Sequence, residues 1–109
     1  MRATAPSRAP EATQQPIPPD RALRLSEVLR AVAHPLRLRI IALLCRNETN
    51  VGALAAALGA EQAIVSQQLR ILRMSRLVDV TRGGGEARYR LAEPHLRELV
   101  RCLESCDPR

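Results

Sequence analysis

Gly59 constrains this chain more than any other residue. Before it lies a short alanine-rich run, Val51–Leu58, and after it a longer stretch, residues 62–75, in which Ile64 or Val65, Leu69 and Leu72 recur on one side. Gln62, Gln67, Gln68, Arg70 and Arg73 fall on the other side. A residue with no side chain suits the left-handed backbone that ends a helix. The segment therefore reads as a short helix, a tight turn and a second helix with a polar face, which is a helix-turn-helix.

The flanking segments complete a small domain. Prolines at Pro6, Pro10, Pro16, Pro18 and Pro19 set residues 1–19 apart as a disordered proline-rich tail and leave residues 20–107 for one folded unit. Asp20 is expected to cap a helix running to about Ala33, with Leu23, Val28, Leu29 and Val32 on its apolar side. Pro35 opens a second helix to about Cys45, with Leu36, Ile40, Leu43 and Leu44 inward and Arg37, Arg39 and Arg46 wet. Residues 47–50 read as a turn, with Thr49 or Asn50 as the cap of the third helix.

Beyond the second helix of the motif, residues 77–82 and 87–91 alternate in character around the glycine-rich residues 83–86, which predicts a β-hairpin. A last helix, residues 94 to about 106, carries an apolar stripe at Leu96, Leu99, Val100 and Leu103. The predicted fold is mostly α with one small β-hairpin: four helices, the hairpin, then a fifth helix. That order is a winged helix-turn-helix with an extra helix at each end. The end helices have apolar faces and little core left to cover, so dimerisation through these terminal helices is their expected use. A domain of roughly ninety residues buries only about 60% of its unfolded surface and gains stability from pairing.

All 17 basic residues are arginine, and the net charge is +6. Arginine forks fit phosphates and guanine edges bidentately, so the balance favours an anionic partner, nucleic acid first and an acidic membrane surface second. Tyr89 is the sole aromatic residue, which argues against modules that stack bases on aromatic platforms and leaves double-stranded DNA. Three cysteines, an odd count, with no apolar signal stretch in the first twenty residues, point to reduced thiols and a cytoplasmic location. No run of about 18 uncharged apolar residues is present to span a membrane.

In such a motif the first turns of the second helix meet base edges in the major groove. The candidates are Gln62, Ala63, Ser66, Gln67, Gln68 and Arg70. Glutamine amides can address adenine bidentately, and the Ala63 methyl suits a thymine methyl. The plainer alternative is that the glutamines only solvate a helix. Arg82, Arg88 and Arg90 on the hairpin are candidates for phosphate or narrow minor-groove contacts. The partner expected is an operator with inverted-repeat symmetry, bound by a homodimer. The rival reading is a basic helical dimerisation module that binds an acidic protein. Catalysis is not expected: no histidine has a carboxylate and nucleophile at motif spacing, and residues 83–85 lack the lysine and helix start of a phosphate loop.

Together these features resemble the ArsR/SmtB family of metal- and stress-sensing repressors, over about Leu23 to Cys106. The resemblance rests on residues 29–41 (LRAVAHPLRLRII), residues 51–59 (VGALAAALG), residues 65–72 (VSQQLRIL), Leu77-Val and Tyr89-Arg-Leu91. It implies a homodimeric transcriptional repressor that leaves its operator when an inducer binds, though a member with no small-molecule inducer is also consistent. Three positions depart from the family pattern. Glu61 stands where many members have a serine cap, Gln68 replaces a frequent histidine, and Arg76 replaces the glycine that usually ends the recognition helix.

The resemblance also directs attention to two sensing sites. The cysteine box that enters the third helix in metal-sensing members reads ETNVGAL here, residues 48–54, so both thiols are missing and arsenite sensing there is not expected. In the last helix the positions that bind zinc in some members are Glu93, His95, Cys106 and Arg109, and arginine cannot ligate a metal. Cys102 is the candidate substitute, because His95, Cys102 and Cys106 are spaced by seven and four residues on one helical stripe. Two such helices paired in a dimer suit a thiophilic ion such as zinc, cadmium or arsenite. Alternatively Cys102 and Cys106 act as a redox pair, or serve as apolar filler. Cys45 reads as core because it falls close to the apolar face of the second helix, and the resemblance gives it no sensing role, since family thiol sensors usually place their first cysteine three residues earlier, at the position of Ala42.

Overall fold

The computed structural model describes residues 15–106. Most of the proline-rich tail, and residues 107–109 with Arg109, lie outside the described residues. The elements are α1 (Pro19–Val32), α2 (Pro35–Leu44), α3 (Val51–Leu58), α4 (Gln62–Met74), β1 (Val78–Gly83), β2 (Glu86–Leu91) and α5 (His95–Ser105). This is the five-helix, one-hairpin order expected.

Helix starts follow local chemistry, with two departures from expectation. Asp20 does not cap α1. The helix begins two residues earlier than an Asp20 cap would give, because Pro19 occupies the first turn, where its fixed φ and missing N–H cost nothing, and extended Pro18 is the cap residue. Asp20 lies in that first turn, favourable to the helix dipole, and pairs with Arg24 at 3.6 Å in full solvent. The second departure is His34, whose Nδ1 accepts from the backbone N–H groups of Leu36 (3.2 Å) and Arg37 (3.4 Å) and so caps α2. Of the two candidates for α3, Asn50 is the cap, its Oδ1 accepting from Ala53 N at 2.7 Å.

Gly59 adopts φ 64°, and α4 turns away from α3 there. At the other end of α4, Arg76 has φ 63°, the left-handed conformation for which a glycine would be the ordinary choice. In the hairpin the turn is two residues, Gly84 and Gly85, both with positive φ. That is the backbone which matches the twist of paired strands. Gly83 and Glu86, expected in the turn, are the last paired residues of the ladder.

The core gathers one face of every element. Ile40, Ile41 and Leu44 of α2 meet Leu54 of α3, Val65, Leu69 and Leu72 of α4, Leu77 and Val78 at the start of the hairpin, and Leu96 and Val100 of α5. Among the described residues no polar or charged side chain is fully buried, so apolar burial at about 25 cal/mol per Å² drives the fold. The α1 expectation holds only in part. Val32 is buried and Val28 packs against the core, but Leu23 and Leu29 stand 59% and 55% exposed. Leu103 of α5 is also exposed.

The strained residue carries a direct test. Left-handed backbone costs a side-chain-bearing residue about 1–2 kcal/mol, of which glycine's extra chain entropy cancels a part. Arg76→Gly is therefore expected to stabilise the protein by about 1 kcal/mol or somewhat less, read as a higher midpoint in urea unfolding. An unchanged or lower midpoint would mean that the arginine's own contacts offset the strain.

Candidate nucleic-acid interface

The buried row Val65, Leu69 and Leu72 fixes how α4 presents itself. At about 3.6 residues per turn the direction opposite that row belongs to Ala63, Gln67, Arg70 and Met74. All four are exposed, Met74 most of all at 78%. Gln62, Ser66 and Arg73 are exposed along the adjoining flank. Met74 was missed in the sequence, although it continues the Gln67 and Arg70 row by the same three- and four-residue steps. Glu61 precedes the helix and makes no side-chain cap bond.

Gln68 is separated from the other candidates. It is half-buried on the opposite flank, and its Oε1 accepts a 2.9 Å hydrogen bond from Arg37 Nη1 of α2. Arg37 Nε also donates to the Ala31 carbonyl in the last turn of α1, at 2.5 Å. Arg37, read from sequence as simply solvated, therefore joins three helices. Nothing in a heptad-like pattern distinguishes an arginine that reaches water from one that reaches a neighbouring carbonyl.

The hairpin divides its arginines. Thr81 pairs with Arg88 and Asp79 with Arg90, so these four residues share one face, while Arg82 pairs with Ala87 on the other. Arg88 Nη2 donates to the Glu48 carbonyl at 3.1 Å, and Arg90 Nη2 lies 3.8 Å from Asp79 Oδ2. Thr49 and Tyr89 exchange backbone hydrogen bonds at 3.1 and 2.7 Å, and Asn50 Nδ2 donates to Glu86 Oε2. These contacts tie the wing to the loop before α3. Between the end of α4 and β1 lies a cleft of about 390 Å³ lined by Arg70, Arg73, Met74, Val78, Asp79 and Val80.

The candidate sensing residues form two separate pairs, one at each end of α5. Glu93 Oε2 accepts from His95 N at 3.0 Å and sits 2.7 Å from His95 Nδ1. The hydrogen bond to Glu93 raises the His95 pKa, and the backbone N–H of His95 lowers that of Glu93. Cys102 and Cys106 are both exposed, one turn apart, and Cys106 Sγ donates to the Cys102 carbonyl at 3.5 Å. Cys45 is half-buried at the end of α2; burial pushes its thiol up, against the opposing pull of Arg97.

Residues 34–80 match the model of a family described as bacterial regulatory protein, arsR family. The chain is 44% identical over 82 residues to a protein of Synechocystis sp. named transcriptional repressor SmtB homolog, covering 75% of this chain and 62% of that one. It is 39% identical over 83 residues to the biofilm growth-associated repressor of Agrobacterium fabrum, covering 76% of this chain and 71% of that one. The chain belongs to the ArsR family. A solution structure described as a homodimeric winged helix-turn-helix DNA-binding domain from Mycobacterium bovis superposes with a TM-score of 0.69 at 27% identity, covering 93% of this chain and 87% of that one. Both relatives carry the name of repressor.

For this ArsR-family chain the donors on α5 do not suit one metal ion within one protomer. Zinc requires nitrogen and sulfur donors about 2.0–2.3 Å away. His95 and Cys102 are seven residues apart on one helix, about 10 Å along its axis. Among the described residues no group of three His, Cys, Asp or Glu side chains is close enough to hold a metal.

The Glu93–His95 pair has a defined pH behaviour. With His95 raised, its contribution is complete below the ordinary histidine pKa and is lost as pH rises through the raised value. With Glu93 lowered, its share is present above the ordinary carboxylate pKa and is lost as pH falls through the depressed value. An NMR titration is expected to find His95 above the range of a free histidine, and to find it back in that range in Glu93→Gln. Identical titrations in parent and variant would show that the pair does not form in solution.

Proposed function

We propose that two copies of this chain bind an inverted repeat in double-stranded DNA and repress transcription in the cytoplasm. The observation that carries this reading is the exposed row of α4, Ala63, Gln67 and Arg70, beside the arginine-bearing wing. Gln62 and Ser66 extend the base-facing surface, and Arg82, Arg88 and Arg90 meet the backbone on either side of it. The Arg90–Asp79 pair is half-exposed. Such pairs are worth about 0–1 kcal/mol, so Arg90 can exchange its carboxylate for a phosphate at small cost.

Pairing is assigned to α1 and α5. Leu23, Leu25 and Leu29 are exposed on α1, and Leu25, Val28, Leu29, Leu96 and Leu99 line an apolar groove of about 510 Å³ between the two helices. A two-fold dimer presents its recognition helices to half-sites about one duplex turn apart, or a multiple of that. The relatives' names and the homodimeric structural neighbour support the reading. A chain that binds only an acidic protein, indifferent to DNA sequence, is the alternative outcome of the same binding assays.

Gln67→Ala is expected to cost about 1–3 kcal/mol on the selected site and little on random duplex, whereas Arg82→Ala or Arg90→Ala should weaken both alike and flatten the salt dependence. Fluorescence anisotropy at several salt concentrations measures this. A change in sequence preference from the arginine variants, with none from Gln67→Ala, would reverse the groove assignment.

A second reading concerns induction, favoured by the exposure of Cys102 and Cys106 in one-turn register at the end of α5. A thiophilic ion such as cadmium or arsenite bound there, or oxidation of the two thiols to a disulfide by hydrogen peroxide, which is reduced to two waters, shifts the subunits and releases DNA, with a coupling typically of about 1–3 kcal/mol. The Cys102→Ser, Cys106→Ser double variant is expected to keep its DNA affinity and lose release by these agents. Release undiminished in the variant would place sensing elsewhere.

A further inference from the structure

We infer that Arg37 is a positioning residue which carries the orientation of α1 to the recognition helix α4 and thereby sets the half-site spacing the dimer accepts. The inference rests on the DNA-binding reading above and extends it. Its basis is the pair of hydrogen bonds from one guanidinium: Nε to the Ala31 carbonyl of α1 and Nη1 to Gln68 Oε1 of α4.

Each end of this bridge matters for a different reason. Ala31 is buried in the last turn of α1, where carbonyls have no partner within the helix. A buried carbonyl without a partner is costly, so the Nε bond holds the end of α1 against α2. Gln68 sits on the flank of α4 next to the buried row, and its half-buried amide faces α2 rather than the exposed row. The Nη1 bond therefore limits rolling of α4 about its own axis. Because both donors belong to one planar, rigid fork, the two helices cannot shift independently without breaking a bond. Lysine offers no such fork.

The consequence reaches the dimer because α1 bears the exposed leucines assigned to the subunit interface. Base preference within a half-site depends on the exposed row of α4, which Arg37 does not touch. Spacing between half-sites depends on the angle between each recognition helix and the dimer interface, which Arg37 connects. Arg37 commits Nε and Nη1 to protein acceptors, so it is assigned no phosphate contact, and Gln68 is taken out of the base-reading set.

The test is selection of sites from a pool of duplexes with a long randomised segment, using the full chain and four variants: Arg37→Ala, Arg37→Lys, Gln68→Leu and Gln68→Glu. The parent is expected to enrich an inverted repeat with one spacing. Arg37→Ala, Arg37→Lys and Gln68→Leu should enrich the same half-site bases at spacings spread by about one base pair either way, with affinity for the parent's site down roughly tenfold. Gln68→Glu, which keeps the acceptor, should retain the parent's spacing. The Arg37→Ala, Gln68→Leu double variant should lose no more affinity than Arg37→Ala alone, because that change has already broken the bond that Gln68→Leu removes. Unchanged spacing in all variants, or additive losses in the double variant, would overturn the inference while leaving DNA binding intact. So would a salt slope reduced by about one per copy in Arg37→Ala, the signature of a phosphate contact. A parent that enriches no inverted repeat would overturn the functional reading and this inference with it.

Discussion

Burial of Val65, Leu69 and Leu72 is the constraint on which the rest of this molecule depends. These three side chains place one face of α4 in the core shared by α2, α3, α5 and the start of the hairpin. Once that face is fixed, the direction of every other residue on the helix follows from its pitch. Exposed Gln67 and Arg70 are functional candidates because leucines on the far side leave them no alternative. A substitution such as Leu69→Ala would loosen the platform before it altered any DNA contact, since truncating a buried leucine typically costs about 2–5 kcal/mol.

The wing is held by a different kind of interaction. Its face toward the core offers Val78, Tyr89 and Leu91, but beyond these the hairpin projects into solvent and a two-stranded ribbon is marginal by itself. The Thr49–Tyr89 bridge, the Arg88 bond to Glu48 and the Asn50–Glu86 contact supply the missing edge. Asn50 serves both as cap of α3 and as partner of the wing, so the first helix of the motif and the hairpin are registered to one residue. Their relative position is thus set by local hydrogen bonding together with the core that Leu54 and Val78 share.

Much of the architecture was legible because its determinants are local. Gly59 marks a left-handed turn, paired glycines mark the hairpin, and apolar periodicity marks each helix. The helix caps were legible only where the side chain is a common capping type: Asn50 was named, while His34 was not. The pattern of α1 showed an apolar face but not what covers it, so Leu23 and Leu29 were assigned inward although the protomer leaves them in solvent. Gln68 illustrates the deeper limit. Its neighbour Gln67 is chemically identical, and only the arrival of Arg37 from a residue 31 positions away separates a structural amide from a candidate base reader. Such long-range pairing has no signature in composition or spacing.

The arginine-only basic set gains meaning from where the fork groups sit. Exposed Arg70, Arg82 and Arg90 retain high-dielectric surroundings, so on the DNA-binding reading their bonds to water or to Asp79 would exchange readily for phosphate. Half-buried Arg37 is satisfied by two neutral oxygens in a less solvated place, where losing either bond leaves a poorly hydrated cation. The same side chain is therefore free to exchange partners at one position and tied to two protein oxygens at another, and burial separates the two cases. Acidic Glu61 before α4 and Asp79 and Glu86 on the wing are exposed too, and would oppose phosphate there. Net charge alone cannot set affinity there, because the carboxylates weaken every duplex alike. On the DNA-binding reading proposed above, discrimination falls to the few uncharged groups exposed on α4, chiefly Gln67, whose amide can address one base edge differently from another.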